Sequence, residues 1–552
     1  MSELPTWAKD VVRDFESETA GCFVLHGNVG DPLLIPTQAG EAARLGSMRE
    51  YLEEVLLPRF EVLVSYDLGE GLRVWRGEKI FDDWAKNKEQ PSLPLPALRF
   101  VGEFLRYLRN TRNLGGKESR VAVVVQEAQL VCPAAANGGN YEENALASLL
   151  RSWASDGLLQ THHQAVFLLA DRVANLHSLL VREPRIPNLE LTLPDEMILK
   201  EAFHVLEPQI GDVLSAFKGR YEELAMAFRG ASLSSVETLL RRLHYEKKVL
   251  KDEDAARLKR ELVEKECEGL IEFVEPDRSL AKVIGLESVK QWLQDDLALW
   301  RQGELEAMPM GYLFCGPVGT GKTYLAECLA GEAGVPMVTI RNFRDKWVGS
   351  TEANLEKIFA LLHALGRCLV MIDEADQALG KRQGGSGDGG VSSRVYSMMA
   401  AEMSDTRNRG KILWVLASSR PDLIEVDLKR PGRIDVKIPL FPSVEPEESF
   451  TLLRALCRAR GCEIEKAAYG ELQELIPDML TPGAAEAIAV KAYRQVKARG
   501  ETPLEALKGV LTGYLPPIDP EILRHQMKLA ADENTEPAFL SGRVKAILGN
   551  DL

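Results

Sequence analysis

Residues 316–323 read Gly316-Pro317-Val318-Gly319-Thr320-Gly321-Lys322-Thr323, with glycines, a lysine and a hydroxyl residue at fixed spacing. No other stretch constrains the fold of this chain as strongly. Glycine lets the backbone take positive φ and bring N–H groups close together with no Cβ in the way. The apolar run Gly311-Tyr312-Leu313-Phe314-Cys315 just before it predicts a short buried strand, and a helix is predicted from about Thr323 to Ala333. A strand, a glycine loop and a helix N-terminus in that order form a cradle for an anion. The residues make a complete Walker A loop: Gly316 to Thr323 would wrap the phosphates of ATP, Lys322 would reach the β- and γ-phosphates, and the Thr323 hydroxyl would ligate Mg²⁺.

A second motif follows. Cys368-Leu369-Val370-Met371-Ile372 is an apolar run that ends in Asp373-Glu374-Ala375-Asp376. This is the pattern of a Walker B strand, in which Asp373 would hold the Mg²⁺ shell and Glu374 would act as general base on the attacking water. Acidic pairs at strand ends are common as solvated ends, but this one follows a full Walker A loop.

The bulk properties narrow the rest. A chain of 552 residues is too long for one core, which predicts several domains. Its formal net charge of −15 and the lack of a basic cluster disfavour nucleic acid as the main partner. The eight cysteines form no C-x-x-C pair or zinc spacing, and several fall in apolar patterns as small buried thiols. The N-terminal residues lack a basic stretch followed by an apolar one, and no run of ~18 apolar residues occurs. The expectation is a cytoplasmic protein with no membrane span.

These motifs, with Val283-Ile284-Gly285-Leu286, Ala417-Ser418-Ser419-Arg420-Pro421-Asp422 and Lys429-Arg430-Pro431-Gly432-Arg433-Ile434-Asp435, resemble the AAA ATPases of the AAA+ superfamily over about residues 277–515. The resemblance implies an α/β fold of AAA+ P-loop modules, each a parallel-sheet subdomain with a helical lid. It implies that Arg430 and Arg433 are fingers reaching the γ-phosphate of a neighbouring subunit. It adds Ile284, Gly285 and Tyr324 to the nucleotide site, with Gly483 and Ala484 of the segment Thr481-Pro482-Gly483-Ala484-Ala485-Glu486 as the lid's contact to adenine. At the sensor-1 position, where the family usually has asparagine, stands Ser419, or Ser418 if the register slips by one. A serine can still hydrogen-bond water but has a shorter reach. Lys346-Trp347-Val348 matches the family's pore loop, with Trp347 gripping an extended polypeptide, unless Trp347 is a packed aromatic. It precedes an amphipathic helix with Leu355, Ile358, Phe359 and Leu362 on one face. The glycine-rich stretch from Gly380 to Gly390 reads as a flexible loop, either a second pore-facing loop or a plain connector.

The first half reads as a broken copy. Val24-Leu25-His26-Gly27-Asn28-Val29-Gly30-Asp31 sets beside the Walker A segment, keeps G-x-V-G, and then has Pro32 and Leu33 in place of Gly321 and Lys322. Val121 to Val125 followed by Gln126-Glu127-Ala128 mirrors the Walker B strand with Gln126 for Asp373. Val166 to Ala170 mirrors Leu413 to Ala417, and Arg182-Glu183-Pro184-Arg185-Ile186 mirrors the arginine segment. The first half is longer between its two motif positions, which implies an insertion near residues 40–96. The alternative is an unrelated α/β domain with similar strands. Arg182 and Arg185 are then surface residues; in a true copy they are ring-interface contacts.

The expected organisation is a degenerate AAA-like domain over residues 1–195, its helical lid over 196–250 and a charged, solvated helical linker over 251–276. An active AAA domain over 277–445, a lid over 446–515 and a tail over 516–552 follow. The tail is left open as a subunit contact or a partner site. The expected function is an ATP-hydrolysing homo-oligomeric ring, hexameric by resemblance, that remodels, unfolds or disassembles a protein substrate. A slow nucleotide-gated switch or scaffold is the alternative, and a nucleic-acid motor or loader stands behind both. The chain contains no H-E-x-x-H, so any proteolysis would need a separate partner.

Overall fold

The structure is a computed structural model that describes residues 4–36, 43–86, 88–115, 119–134, 139–155, 163–267, 269–341, 351–379 and 389–549. Two units follow each other along the chain, Met1–Val263 and Glu264–Leu552.

The first unit is built on β1 (Cys22–Gly27), β4 (Val62–Asp67), β5 (Gly71–Arg76), β6 (Val121–Val125), β7 (Gln164–Ala170) and β8 (Asn188–Leu191), with a small hairpin of β2 (Leu33–Ile35) and β3 (Arg44–Gly46). The second is built on β9 (Ile271–Val274), β10 (Gly311–Cys315), β11 (Met337–Ile340), β12 (Cys368–Ile372), β13 (Ile412–Ser418) and β14 (Val436–Pro439). The sheets have the same plan: β8-β1-β7-β6-β4-β5 in one and β14-β10-β13-β12-β11-β9 in the other. In each, the edge pair (β4 with β5, β11 with β9) is antiparallel and the rest are parallel. The central strands β6 and β12 are fully buried, as parallel strands covered by helices on both faces must be. Five strands of each sheet thus share one topology, whereas the sixth is a hairpin partner after β4 in the first module and a strand that precedes β10 in the second.

Each module carries a helical cluster on its own core. Phe203, Leu224, Phe228 and Leu240 pack together in the first, and Phe450, Leu453, Leu480 and Ile488 in the second.

Several expectations are corrected. The extra residues of the first module lie in two places, not one. The β2–β3 hairpin starts at Leu33, ahead of residue 40, and β5 with the helix Glu78–Ala85 forms the other addition. Pro32 has no N–H for a helical turn, so the chain leaves the loop as a strand. The linker is not purely helical or solvated. Its helix, Asp252–Glu266, buries Val263 and lays Leu258 and Leu262 on the first module's helical cluster. Ile271–Val274 within the same linker range pairs antiparallel with β11, burying Ile271 and Phe273 while Glu272 faces out. Gly389 and Gly390, expected in a loop, open the helix Gly389–Met403; the first N–H groups of a helix have no intrahelical partner, so glycine costs little there.

The tail folds onto its own module. The helix Pro520–Asp532 buries Leu523, Met527, Ala530 and Ala531 and lies against β14. Lys437 of β14 and Lys429 both donate to Glu533. Phe539 packs edge-on against Trp292 at 5.7 Å, inside the cluster that holds Tyr312 and Phe314. Phe539→Ala therefore lowers the second module's stability by about 3 kcal/mol, read as a fall in its denaturant midpoint; an unchanged midpoint would mean that the tail does not pack there.

Candidate functional site

The register of the second sheet brings the motifs to one edge. Cys315 pairs with Ser418 and Ile372 with Leu416, so the residues after β10, β12 and β13 emerge at the carboxyl end of the strands, where open α/β sheets bind ligands. Gly316, Gly319 and Gly321 have φ of +151°, +83° and +88°. A Cβ on Gly316 would collide with the Leu440 carbonyl oxygen, so the loop's shape depends on that glycine. Thr320 is buried and ties the loop to itself, its hydroxyl donating to the Pro317 carbonyl at 2.8 Å. The Lys322 ammonium donates to the carbonyls of Gly316 and Pro317 at 2.8 and 2.9 Å. Burial holds its pKa below the usual lysine range, with Asp373 acting in the opposite direction. The helix Lys322–Ala333 starts at this residue, and Val318 and Tyr324 remain exposed beside the loop.

The Thr323 hydroxyl donates to Asp373 Oδ2 at 2.8 Å. Two hard oxygen donors, one a carboxylate, thus sit together next to the lysine and the loop amides. This is a donor set for Mg²⁺, which takes one or two protein oxygens plus phosphate oxygens and water. Glu374 follows with φ of +47°, a left-handed conformation that is costly for a side chain with a Cβ and that clusters at functional sites. Glu127, its counterpart after β6, has φ of +44°. The first module therefore keeps the backbone turn of the Walker B glutamate, although Gln126 replaces the aspartate.

Ser418 ends β13 fully buried. Its hydroxyl donates to Asp376 Oδ1 at 2.5 Å and accepts from the Arg420 N–H at 2.9 Å. That use of Ser418 leaves Ser419, half-buried one residue on, as the sensor-1 candidate. The role of Asp376 emerges only in three dimensions, because it braces β13 from the first turn of the short helix Ala375–Leu379 that follows β12.

The lid reaches the loop through its helix Pro482–Arg499. Thr481 caps it, accepting from the Ala484 N–H at 3.2 Å, and the Gly483 N–H donates to the Gly319 carbonyl at 2.9 Å. Ile284 and Gly285 are half-buried, and a Cβ on Gly285 would strike the Glu448 carboxylate. Arg278 stacks over Tyr324 at 5.2 Å.

The two arginines differ. Arg430 is 69% exposed and meets Asp427 Oδ1 at 2.9 Å, whereas Arg433 is 20% exposed and donates to both the Asp427 carboxylate and, at 2.8 Å, its carbonyl. Paired with Arg433 foremost, the Asp427 carboxyl lies below the usual range. Lys346, Trp347 and Val348 lie outside the described residues, as does Gly380 to Asp388. Among the described residues no helix is long and apolar enough to cross a membrane. All eight cysteines are buried, and none forms a disulfide among the described residues.

The family described as "AAA+ chaperone, N-terminal Rossmann-like domain" matches residues 1–192, and "ATPase family associated with various cellular activities (AAA)" matches residues 312–441. The Cell division cycle protein 48 homolog of Archaeoglobus fulgidus is 24% identical over 75% of this chain and 62% of its own length. The Peroxisomal ATPase PEX6 of Dictyostelium discoideum is 33% identical over 33% of this chain and 16% of its own. The ATP-dependent zinc metalloprotease FtsH 1 of Symbiobacterium thermophilum is 36% identical over 40% of this chain and 38% of its own. The chain thus spans between 16% and 62% of the length of these relatives. Each of the two modules is thus matched by a family model of the AAA+ class, the first over residues 1–192 and the second over residues 312–441.

Proposed function

We propose that this protein is an ATP-hydrolysing ring, six copies around a pore, whose second module drives the remodelling, unfolding or disassembly of a protein substrate. The observation that carries the reading is the Thr323–Asp373 pair beside Lys322, with Glu374 held in its left-handed turn. In this reading the loop from Gly316 to Thr323 binds the phosphates of ATP, and Thr323 and Asp373 hold Mg²⁺, which neutralises phosphate charge. Ile284, Gly285, Gly483 and Ala484 enclose the adenine side. Glu374 accepts the proton of the attacking water, Ser419 orients that water by one hydroxyl, and Arg430 or Arg433 meets the γ-phosphate of the neighbouring copy. The names of the relatives, a peroxisomal ATPase and an ATP-dependent protease among them, support ATP use and work on proteins.

Trp347, with Lys346 and Val348, is assigned to the pore. Trp347→Ala should abolish unfolding of a tethered model protein while the ATPase rate stays within about twofold of wild type, since in this reading Trp347 meets the substrate and not the nucleotide. Unfolding that survives the substitution would remove the pore-loop assignment. One feature favours a second reading, a nucleotide-gated scaffold: Ser419 stands where a longer amide would hold water more firmly. In that case the protein assembles on ATP with almost no turnover.

A further inference from the structure

The loop after β1 keeps the shape of the Walker A loop but is filled by the protein's own carboxylate. The Asp31 N–H reaches the Asn28 carbonyl at 3.4 Å, as the Thr320 N–H reaches that of Pro317 at 3.4 Å. Gly27, like Gly316, has positive φ, and a Cβ on it would come 2.7 Å from the Leu191 carbonyl, the counterpart of Leu440. Asp31 and Thr320 are both 5% exposed. Their side chains do different things. Thr320 turns back into its loop, whereas Asp31 reaches across to the helix Leu233–Tyr245 in the same unit. Asp31 Oδ2 accepts from the Leu233 N–H at 2.7 Å and from Asn28 Nδ2 at 2.8 Å. Oδ1 accepts from the Ser234 N–H at 2.8 Å and its hydroxyl at 2.6 Å.

That helix is the counterpart of the second module's lid helix. Ser232 caps it by accepting from the Ser235 N–H at 3.3 Å, as Thr481 does from Ala484. In the second module the lid touches the loop through the Gly483 N–H on a neutral carbonyl; in the first, backbone donors at a helix N-terminus close on a buried carboxylate. Charge-assisted bonds of this kind are roughly twice as strong as neutral ones, and the helix dipole adds to them.

The cleft alongside has a volume of about 620 Å³, yet its chemistry does not suit a triphosphate. Its arginines are already matched: Arg44 to Glu50 and Glu54, Arg49 to Glu53, and Arg241 to Glu237. Asp31, Glu127 and Asp171 add negative charge to the lining.

We propose that the Asp31 carboxylate is a built-in substitute for a nucleotide phosphate, clasping the first module's lid helix to its loop so that this module holds one lid position throughout the cycle of the second. The clasp depends only on contacts within the first unit, so it stands or falls separately from ATP hydrolysis. The test is amide hydrogen exchange on the full chain, wild type, Asp31→Asn and Asp31→Ala, with and without Mg²⁺ and a non-hydrolysable ATP analogue. Exchange at Leu233 and Ser234 should be slow and unmoved by the analogue, and about ten- to a hundredfold faster in Asp31→Ala, the effect of losing bonds to a charged group. Asp31→Asn, which keeps the shape and one acceptor oxygen, should fall between. Analogue-dependent protection at Leu233 and Ser234 in a Lys322→Ala background would overturn the proposal, because it would put nucleotide in the first module. Exchange unchanged in both Asp31 variants would overturn it equally.

Discussion

Glu374→Gln lowers ATP turnover by about 10²- to 10⁴-fold, the range for a lost general base, while nucleotide binding survives. The amide cannot take the proton from the attacking water, yet Lys322, Thr323, Asp373 and the glycine loop are untouched. The substitution is also gentle on the fold. Glu374 is exposed, and its left-handed φ is a property of the turn that glutamine can share. Steady-state phosphate release and binding of a fluorescent ATP analogue separate the two effects. Loss of binding in parallel with turnover would assign Glu374 to the ligand's hold instead of its chemistry. Turnover near wild type would dismiss it as the base.

Arg430→Ala should cost about 10³- to 10⁵-fold, as for arginines that stabilise the transferring phosphoryl group. The geometry separates it from Arg433. The Arg430 guanidinium is solvent-exposed, and its pair with Asp427 is a surface ion pair that water and salt screen. Moving it to a neighbour's phosphate therefore costs little. Arg433 is held on both the carboxylate and the carbonyl of Asp427 and fixes the turn that presents Arg430. Arg433→Ala should accordingly lower thermal stability together with activity, whereas Arg430→Ala should leave the melting temperature in place. Equal stability losses in both would show that the two share one structural role. Mixing inactive Arg430→Ala with inactive Lys322→Ala chains should restore part of the rate, because a wild-type Arg430 then faces a wild-type loop at some interfaces.

The second module's glycine loop and the strands β10 and β12 are readable because the signals are local. Gly311–Cys315 and Cys368–Ile372 are apolar runs closed by glycine or acid, and they form β10 and β12 over the same residues. The tail's helix is hidden by composition. Leu523, Met527, Ala530 and Ala531 recur at helical spacing, a signal present in the sequence but diluted by the polar residues around it. β9 could not be read alone, since a strand of alternating Ile271 and Phe273 gains stability only from β11 beside it. The left-handed φ of Glu127 and Glu374 has no sequence signature in a residue that is not glycine. The clasp at Asp31 is invisible for a different reason: its partners, Leu233 and Ser234, come some 200 residues later.

The central claim, that the second module hydrolyses ATP in a ring, is tested most directly by the ATPase rate per chain as a function of protein concentration. A rate that climbs steeply as the protein assembles is the predicted result, since each site then gains Arg430 from its neighbour. A rate that stays near zero through full ATP-dependent assembly would contradict the motor and leave the nucleotide-gated scaffold.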